Sequence, residues 1–195
     1  MDCIEAIMTR RSVRAYTPEA VTDTELDVVL RAAMAAPSAG NERPWRFVVV
    51  RDRTILGRLA KATPFARPLA DAPVGLVVCA DRTKLKYPGF WPIDCSAAIE
   101  NLLLAAHATG MGGVWIGVHP MAPFEWAVRR VLETPRRVTP VAMIALGHPA
   151  QAPPRVDRYD AGFVHLDTWN GSASSEPGLA TALNEDTTHK EESDA

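Results

Sequence analysis

With 195 residues, 47% of them hydrophobic and 23% charged, the chain suits one globular domain with a core large enough to stand without metal or disulfide staples. A net charge of −2 excludes the basicity of a nucleic-acid binder, and no stretch approaches the length of apolar residues that crosses a membrane. From Gly171 onward six acids face one lysine, so the body before it is mildly cationic.

Ile4, Ile7 and Met8 recur at helical spacing and predict a short first helix ending near Arg10. Arg10, Arg11 and Arg14 then place three cations around Ser12. Guanidinium forks beside a hydroxyl suit a phosphate monoester, although a solvated basic face would be written with the same residues. Thr22 and Glu25 form a capping box ahead of the apolar stripe Leu26, Val29, Leu30 and Ala33, which Pro37 terminates. Residues 47–50 read as a buried strand, Ile55, Leu56 and Leu59 as a helix, and residues 74–80 as a second strand. A loop over 81–93 carries Tyr87, Phe90 and Trp91, aromatics that are unfavourable in solvent unless they cover something.

Asp94 or Ser96 caps the next predicted helix, whose 97–108 stretch is apolar on nearly every face. That implies a central helix buried under a sheet and against another subunit. Gly110 closes it. A strand over 114–117, a helix through Phe124, Val128, Val131 and Leu132, and a strand over 140–147 complete the core. Residues 153–169 read as extended, and 171–195, rich in Ser, Thr and acids, as a disordered tail beyond a domain of residues 1–170. Strands and helices interleave without strict regularity, which gives an α+β sandwich around a mixed β-sheet flanked by helices.

Self-sufficient catalytic motifs are missing. Gly110 and Gly112 begin a dinucleotide fingerprint that Trp115 breaks, there is no P-loop, and Ser38 lacks the glycines of a nucleophile elbow. The five histidines have no ligand spacing, so no metal is expected, and His107 reads as a core or interface residue rather than a base. Cys3, Cys79 and Cys95 form no C-x-x-C pair and are odd in number, which points to a reducing compartment. The amino terminus, with Asp2 and Glu5, shows no signal-peptide pattern; a cytoplasmic protein is expected. Any hard chemistry must come from a cofactor.

Five blocks in order supply a candidate for it: Arg10-Arg11-Ser12; Ala36-Pro37-Ser38 with Asn41 and Pro44-Trp45; the helix from Asp94; Gly110 to Gly117; and Gly147-His148-Pro149 with the arginines beyond. Over residues 1–169 the chain resembles the nitroreductase family of FMN-dependent oxidoreductases. The resemblance implies a homodimeric sandwich of four to five strands, the carboxy-terminal segment adding an edge strand to the partner. It implies that Arg10, Ser12 and either Arg158 or Arg155 hold the FMN phosphate, that Arg14 sits at the N1/O2 edge of the ring, and that Arg11 reaches the pyrimidine side or ribityl chain. Trp115, Ile116 and Gly117 would offer backbone donors to O4 and N5; many larger relatives carry Glu where Ile116 stands, but only the main chain is required. Pro37, Ser38 and Asn41 would cross the dimer to the other subunit's flavin, and Tyr87, Phe90 and Trp91 would line the pocket mouth.

The implied activity is ping-pong transfer of hydride from NAD(P)H, through flavin N5, to electron-poor small molecules such as nitroaromatics, quinones or flavins. Its rivals are a specialised flavoenzyme of the same fold (a dehydrogenase, dehalogenase or flavin-destroying enzyme), a non-catalytic FMN-binding protein, and a phosphate-binding module without flavin.

Overall fold

Alternation of side chains along two long apolar runs sets the architecture. In the computed structural model, which describes residues 1–151 and 153–171, strand β1 (Trp45–Val50), β2 (Val74–Asp81), β3 (Gly112–Gly117) and β4 (Val138–Gly147) form one sheet in the order β1-β2-β4-β3. Six helices accompany it: α1 (Cys3–Thr9), α2 (Asp23–Met34), α3 (Arg53–Leu59), α4 (Pro68–Asp71), α5 (Trp91–Ala108) and α6 (Ala122–Leu132). Val74, Leu76, Val78 and Ala80 of β2 face a core built with α2 and α5. The intervening Val77 and Cys79 face a second core with Leu56 and Leu59 of α3, Leu69 of α4 and Val128 of α6. Two-sided burial is why β2 is apolar from Val74 to Ala80 and β4 from Pro140 to Gly147. Each fully buried leucine contributes about 1.5–3 kcal/mol.

The α+β sandwich is as expected, but the sheet is not mixed. All three strand pairings are antiparallel, because α3 with α4, and α6, return the chain to the end of the sheet at which it left. Of the isolated bridges among the described residues, Ser12 with Gly113 runs parallel and Tyr16 with Pro149 antiparallel.

Other local readings need correction. Trp91 is not in a loop: α5 begins there, with Pro92 in its first turn, and the Trp91 side chain is buried. Neither Asp94 nor Ser96 caps α5; Ser96 Oγ donates back to the Pro92 carbonyl at 2.7 Å, and buried Asp94 accepts from Ala39 N at 3.0 Å. Nor is α5 covered all round in one chain. Its buried side runs through Cys95, Ala98, Ile99, Leu102 and Ala106, while Ile93 is 65% exposed and Ala97 and Leu104 are half-buried. Ile4, Ile7 and Met8 of α1 are exposed too, with only Ala6 of that helix buried. Helix α4, four residues long, is too short to announce itself as a periodic stripe.

The chain divides into Met1–Arg155 and a second unit from Val156. Where an extended segment is predicted, the described residues 156–171 hold no named strand but one 3-10 turn, Ala161–Phe163, capped by Asp160, and a stacked His165–Trp169 pair. The predicted acidic tail lies outside the described residues beyond Gly171.

The capping box of α2 is present in full. Thr22 Oγ1 accepts from Glu25 N at 3.2 Å, and Glu25 Oε2 accepts from Thr22 N at 2.8 Å. The Thr22 backbone hydrogen bond, with help from its hydroxyl, holds the Glu25 carboxyl below its usual range. A depressed carboxylate stabilises the fold above its unfolded-state pKa and loses that contribution as pH falls through the folded value. Glu25→Gln is therefore expected to lower urea stability at neutral pH, with the deficit vanishing in acid, and Thr22→Ala to cost about 1 kcal/mol.

Candidate functional site

The site begins where the chain after α1 lies down on the edge of the sheet. Val13 N donates to Gly113 O at 3.0 Å, Thr17 N to His148 O at 2.9 Å, and Ala150 N to Ala15 O at 3.0 Å. The Tyr16 hydroxyl lies 2.7 Å from the Val13 carbonyl and 2.9 Å from that of Ala145, and burial pushes its pKa up. Contact this close requires bare backbone opposite: a Cβ on Gly112 would stand 2.6 Å from Val13 Cγ2, and one on Gly147 3.0 Å from the Tyr16 ring.

This stitching delivers Arg14 to a cavity of about 730 Å³ that Trp115, Ile116 and Gly117 also line. One further wall comes from Phe65 with Arg67, Pro68 and Asp71 around the start of α4, and another from His119, Met121 and Phe124 before and within α6. The His119 ring packs on Trp91 with centroids 4.5 Å apart, and its Nδ1 lies 2.7 Å from Glu125 Oε1. Around Gly117 there is open space, since a Cβ there would meet nothing within 4 Å. Mostly apolar walls with a few convergent charges are the usual make-up of a small-molecule site.

Of the residues singled out in the sequence, Arg14, Trp115, Ile116 and Gly117 therefore meet in one place. Trp91 reaches it through His119. The remaining candidates of the first unit do not line this cavity. Arg10 Nε is paired with Glu100 Oε1 at 3.2 Å, and Ser12 is exposed beside its bridge to Gly113. Arg11 donates to the carbonyls of Met8, Arg10 and Pro154 and borders a smaller hollow that it shares with His107. Thr9 donates its hydroxyl proton to Glu5 O at 2.6 Å, so His107 Nε2, at 2.8 Å, is the donor to Thr9. Burial, then Arg10 and Arg11, lower the His107 pKa, which suits a neutral histidine tying α1 to α5.

Pro37 and Ser38 lead into a 3-10 turn, Ala39–Asn41, which Ser38 precedes at the N-cap position and in which Gly40 and Asn41 take φ of 55° and 56°. Ser38 Oγ accepts from Arg43 N at 3.0 Å. Tyr87 covers this turn: a Cβ on Gly40 would come within 2.6 Å of its ring, and the Glu42 carboxylate accepts from the backbone N–H groups of Lys86 and Tyr87. Phe90 caps α5 and is half exposed. Arg155 ends the first unit and Arg158 lies in the second, both exposed.

Phe65, Arg67, Asp71, His119, Met121 and Phe124 are additions that the sequence reading did not select as site residues. The only local signal was the punctuation of Pro64, Pro68 and Pro120 beside aromatic and charged residues. Neither buried thiol is a nucleophile: burial pushes Cys79 and Cys95 up to about 12. Among the described residues no cluster of His, Cys, Asp and Glu is placed to hold a metal ion, and no helix is long and apolar enough to cross a membrane.

Comparison with known proteins follows the same outline. The nitroreductase family model matches residues 7–67 and 60–148. A protein of Methanothermobacter thermautotrophicus, provisionally named an NADH dehydrogenase/NAD(P)H nitroreductase, is 45% identical over 169 residues, covering 87% of this chain and 88% of that one. A crystal structure of a protein with the same provisional name from Parabacteroides distasonis superposes with a TM-score of 0.82 at 39% identity, over 86% of this chain and 98% of that one. A provisionally named nitroreductase from Desulfovibrio desulfuricans, solved in complex with FMN, gives a TM-score of 0.75 at 34% identity, over 84% and 95%.

Two glycines of β3 provide a direct check on how the site is assembled. Gly112→Ala is expected to force Val13 off the sheet and lower stability by about 1–3 kcal/mol. Gly117→Ala, in open space, should stay within about 0.5 kcal/mol of the parent. Urea unfolding of the two variants side by side measures the difference.

Proposed function

Because the chain belongs to the nitroreductase family, we propose that it is an FMN-dependent oxidoreductase that carries hydride from NAD(P)H to electron-poor small molecules such as nitroaromatics, quinones or flavins. The observation that carries this reading is the convergence of Arg14 with the Trp115–Ile116–Gly117 strand end in an apolar-walled cavity of about 730 Å³. Those residues fit FMN: there is a cation for the pyrimidine edge, bare strand backbone for O4 and N5, and room for a flat ring. When bound, FMN supplies two-electron chemistry, taking up hydride at N5 and releasing it to an acceptor.

The chain's own residues then bind and orient. Arg14 holds positive charge where reduction adds negative charge. Arg10 and Ser12, joined by Arg155 or Arg158, would hold the phosphate. The Arg10–Glu100 pair engages only Nε, which fixes the guanidinium while its Nη groups meet no carboxylate among the described residues. Arg11, which donates to the carbonyls of Met8, Arg10 and Pro154, would shape the path of the ribityl chain. Donor and acceptor would occupy the same cavity in turn, which implies ping-pong kinetics, with exposed Tyr87 and Phe90 at the mouth and buried Trp91 behind His119.

The active species would be a homodimer. Exposed Ile4, Ile7 and Met8 of α1, together with Ile93 of α5, form apolar surface that a second copy would cover. Pro37, Ser38 and Asn41, outside their own chain's cavity, would then serve the partner's flavin. Free thiols at Cys3, Cys79 and Cys95 suit a cytoplasmic setting.

The purified protein is expected to be yellow, and NAD(P)H should bleach it under anaerobic conditions; a protein that stays colourless after incubation with FMN would refute the reading. Arg14→Ala should weaken FMN binding by about tenfold or more, the loss of one charge-assisted contact, as measured by flavin retained on dialysis. For the shared site, a subunit carrying Arg10→Ala and Arg14→Ala is mixed with one carrying Ser38→Trp and Asn41→Ala. Both lesions then fall on one site of the heterodimer, and activity should return to about half the parent level. Confirmed subunit exchange without recovered activity contradicts the cross-subunit assignment.

A further inference from the structure

Beside the cavity, and sharing Arg67 with it, a second hollow of about 510 Å³ opens along α3 and α4. From Arg53 to Arg67 the chain carries four cations and no acid: Arg53, Arg58, Lys61 and Arg67. All four are exposed and all four border the hollow. Arg53 donates to the carbonyls of Ala70 and Ala72, neutral partners that leave its charge uncompensated. Arg58, Lys61 and Arg67 make no ion pair among the described residues. The neighbouring acids are committed or turned elsewhere: Asp52 caps α3 through Ile55 N at 2.8 Å, and Asp71 borders the cavity rather than the hollow.

A basic surface alone is ordinary, but Gly57 separates this one from a merely solvated face. Glycine inside a helix costs about 1 kcal/mol relative to alanine. Packing does not demand it here, since a Cβ on Gly57 would meet nothing within 4 Å. Gly57 borders the hollow, and its missing side chain keeps that space open and its backbone approachable.

A ligand suited to both spaces places a flat ring in the cavity and several negative charges just beyond Arg67. Building on the hydride-transfer reading of the cavity, we propose that the hollow binds the phosphates of the pyridine nucleotide, Arg67 at the pyrophosphate and Arg58 with Lys61 at the ribose 2′-phosphate, and so selects NADPH over NADH. Recognition of an unphosphorylated ribose typically uses a carboxylate on the diol, whereas arginine accommodates a 2′-phosphate. The hollow is lined by cations and contains no acid.

Calorimetric titration of the protein as purified with adenosine 2′,5′-bisphosphate and with AMP tests the hollow without involving the nicotinamide ring. The bisphosphate should bind about tenfold more tightly than AMP. Arg58→Ala with Lys61→Ala should erase that difference and lower the NADPH to NADH ratio of kcat/KM by about tenfold, while FMN content and melting temperature hold. Gly57→Leu, which fills the hollow and keeps every charge, should weaken bisphosphate binding too. Equal affinity for the two probes in the parent, or an unchanged preference in both variants, overturns the proposal. A protein that discriminates the probes yet is reduced by neither nucleotide keeps the hollow and refutes the hydride-transfer reading. One reduced equally by both nucleotides and indifferent to the probes refutes the hollow alone.

Discussion

The geometry of the site depends on two bare positions facing each other. Gly112 and Gly147 are Cα partners in the β3–β4 register, at the end of the sheet where the chain after α1 arrives. Val13 occupies the space over Gly112, and Pro73 and Tyr16 share that over Gly147. With a side chain at Gly112, the segment from Ser12 to Thr17 would stand off by a methyl group, and Arg14 would leave the strand end it now faces; one at Gly147 would press on Pro73 first and then on the Tyr16 ring. A one-atom difference at Gly112 thus decides whether a cation and a row of backbone donors share a cavity. Tyr16 locks the arrangement by reaching carbonyls on both sides of the junction, Val13 and Ala145.

The layered core explains why such precision survives on an edge strand. β4 is packed on both faces, and β3 pairs with it along its whole length, so the cavity floor inherits the rigidity of the centre. The walls are different in kind. Phe65 and Met121 are 69% and 52% exposed and belong to connections rather than to the core. A stiff floor with looser walls lets one site orient a cofactor closely while accepting partners of varied shape.

Much of this was legible in the sequence because it is written locally. The Thr22–Glu25 box, the glycine that ends α5 and the apolar run of β2 each carry their own signal within a few residues. Strand direction carries none: it follows from where the helical connections return the chain, so antiparallel pairing stood where a mixed sheet was expected. Trp91 was misplaced because α5 starts without a side-chain cap. The α4 wall and His119 were missed because their neighbours in space are remote in sequence and share no periodic pattern. The apolar face of α1 was visible as a stripe, yet nothing in a single chain says what covers it.

The carboxylate of Glu42 has one more consequence. By accepting from the backbone of Lys86 and Tyr87, while the Tyr87 ring packs against Gly40, it fuses the turn after α2 to the loop before α5. The two segments are some forty residues apart, yet neither has an independent shape. Transplanting one of them between homologues would leave these hydrogen bonds half made, so the pair behaves as a single cassette. Divergence in this region should therefore appear as matched replacements in both segments, and efforts to broaden what the protein accepts gain most by exchanging them together.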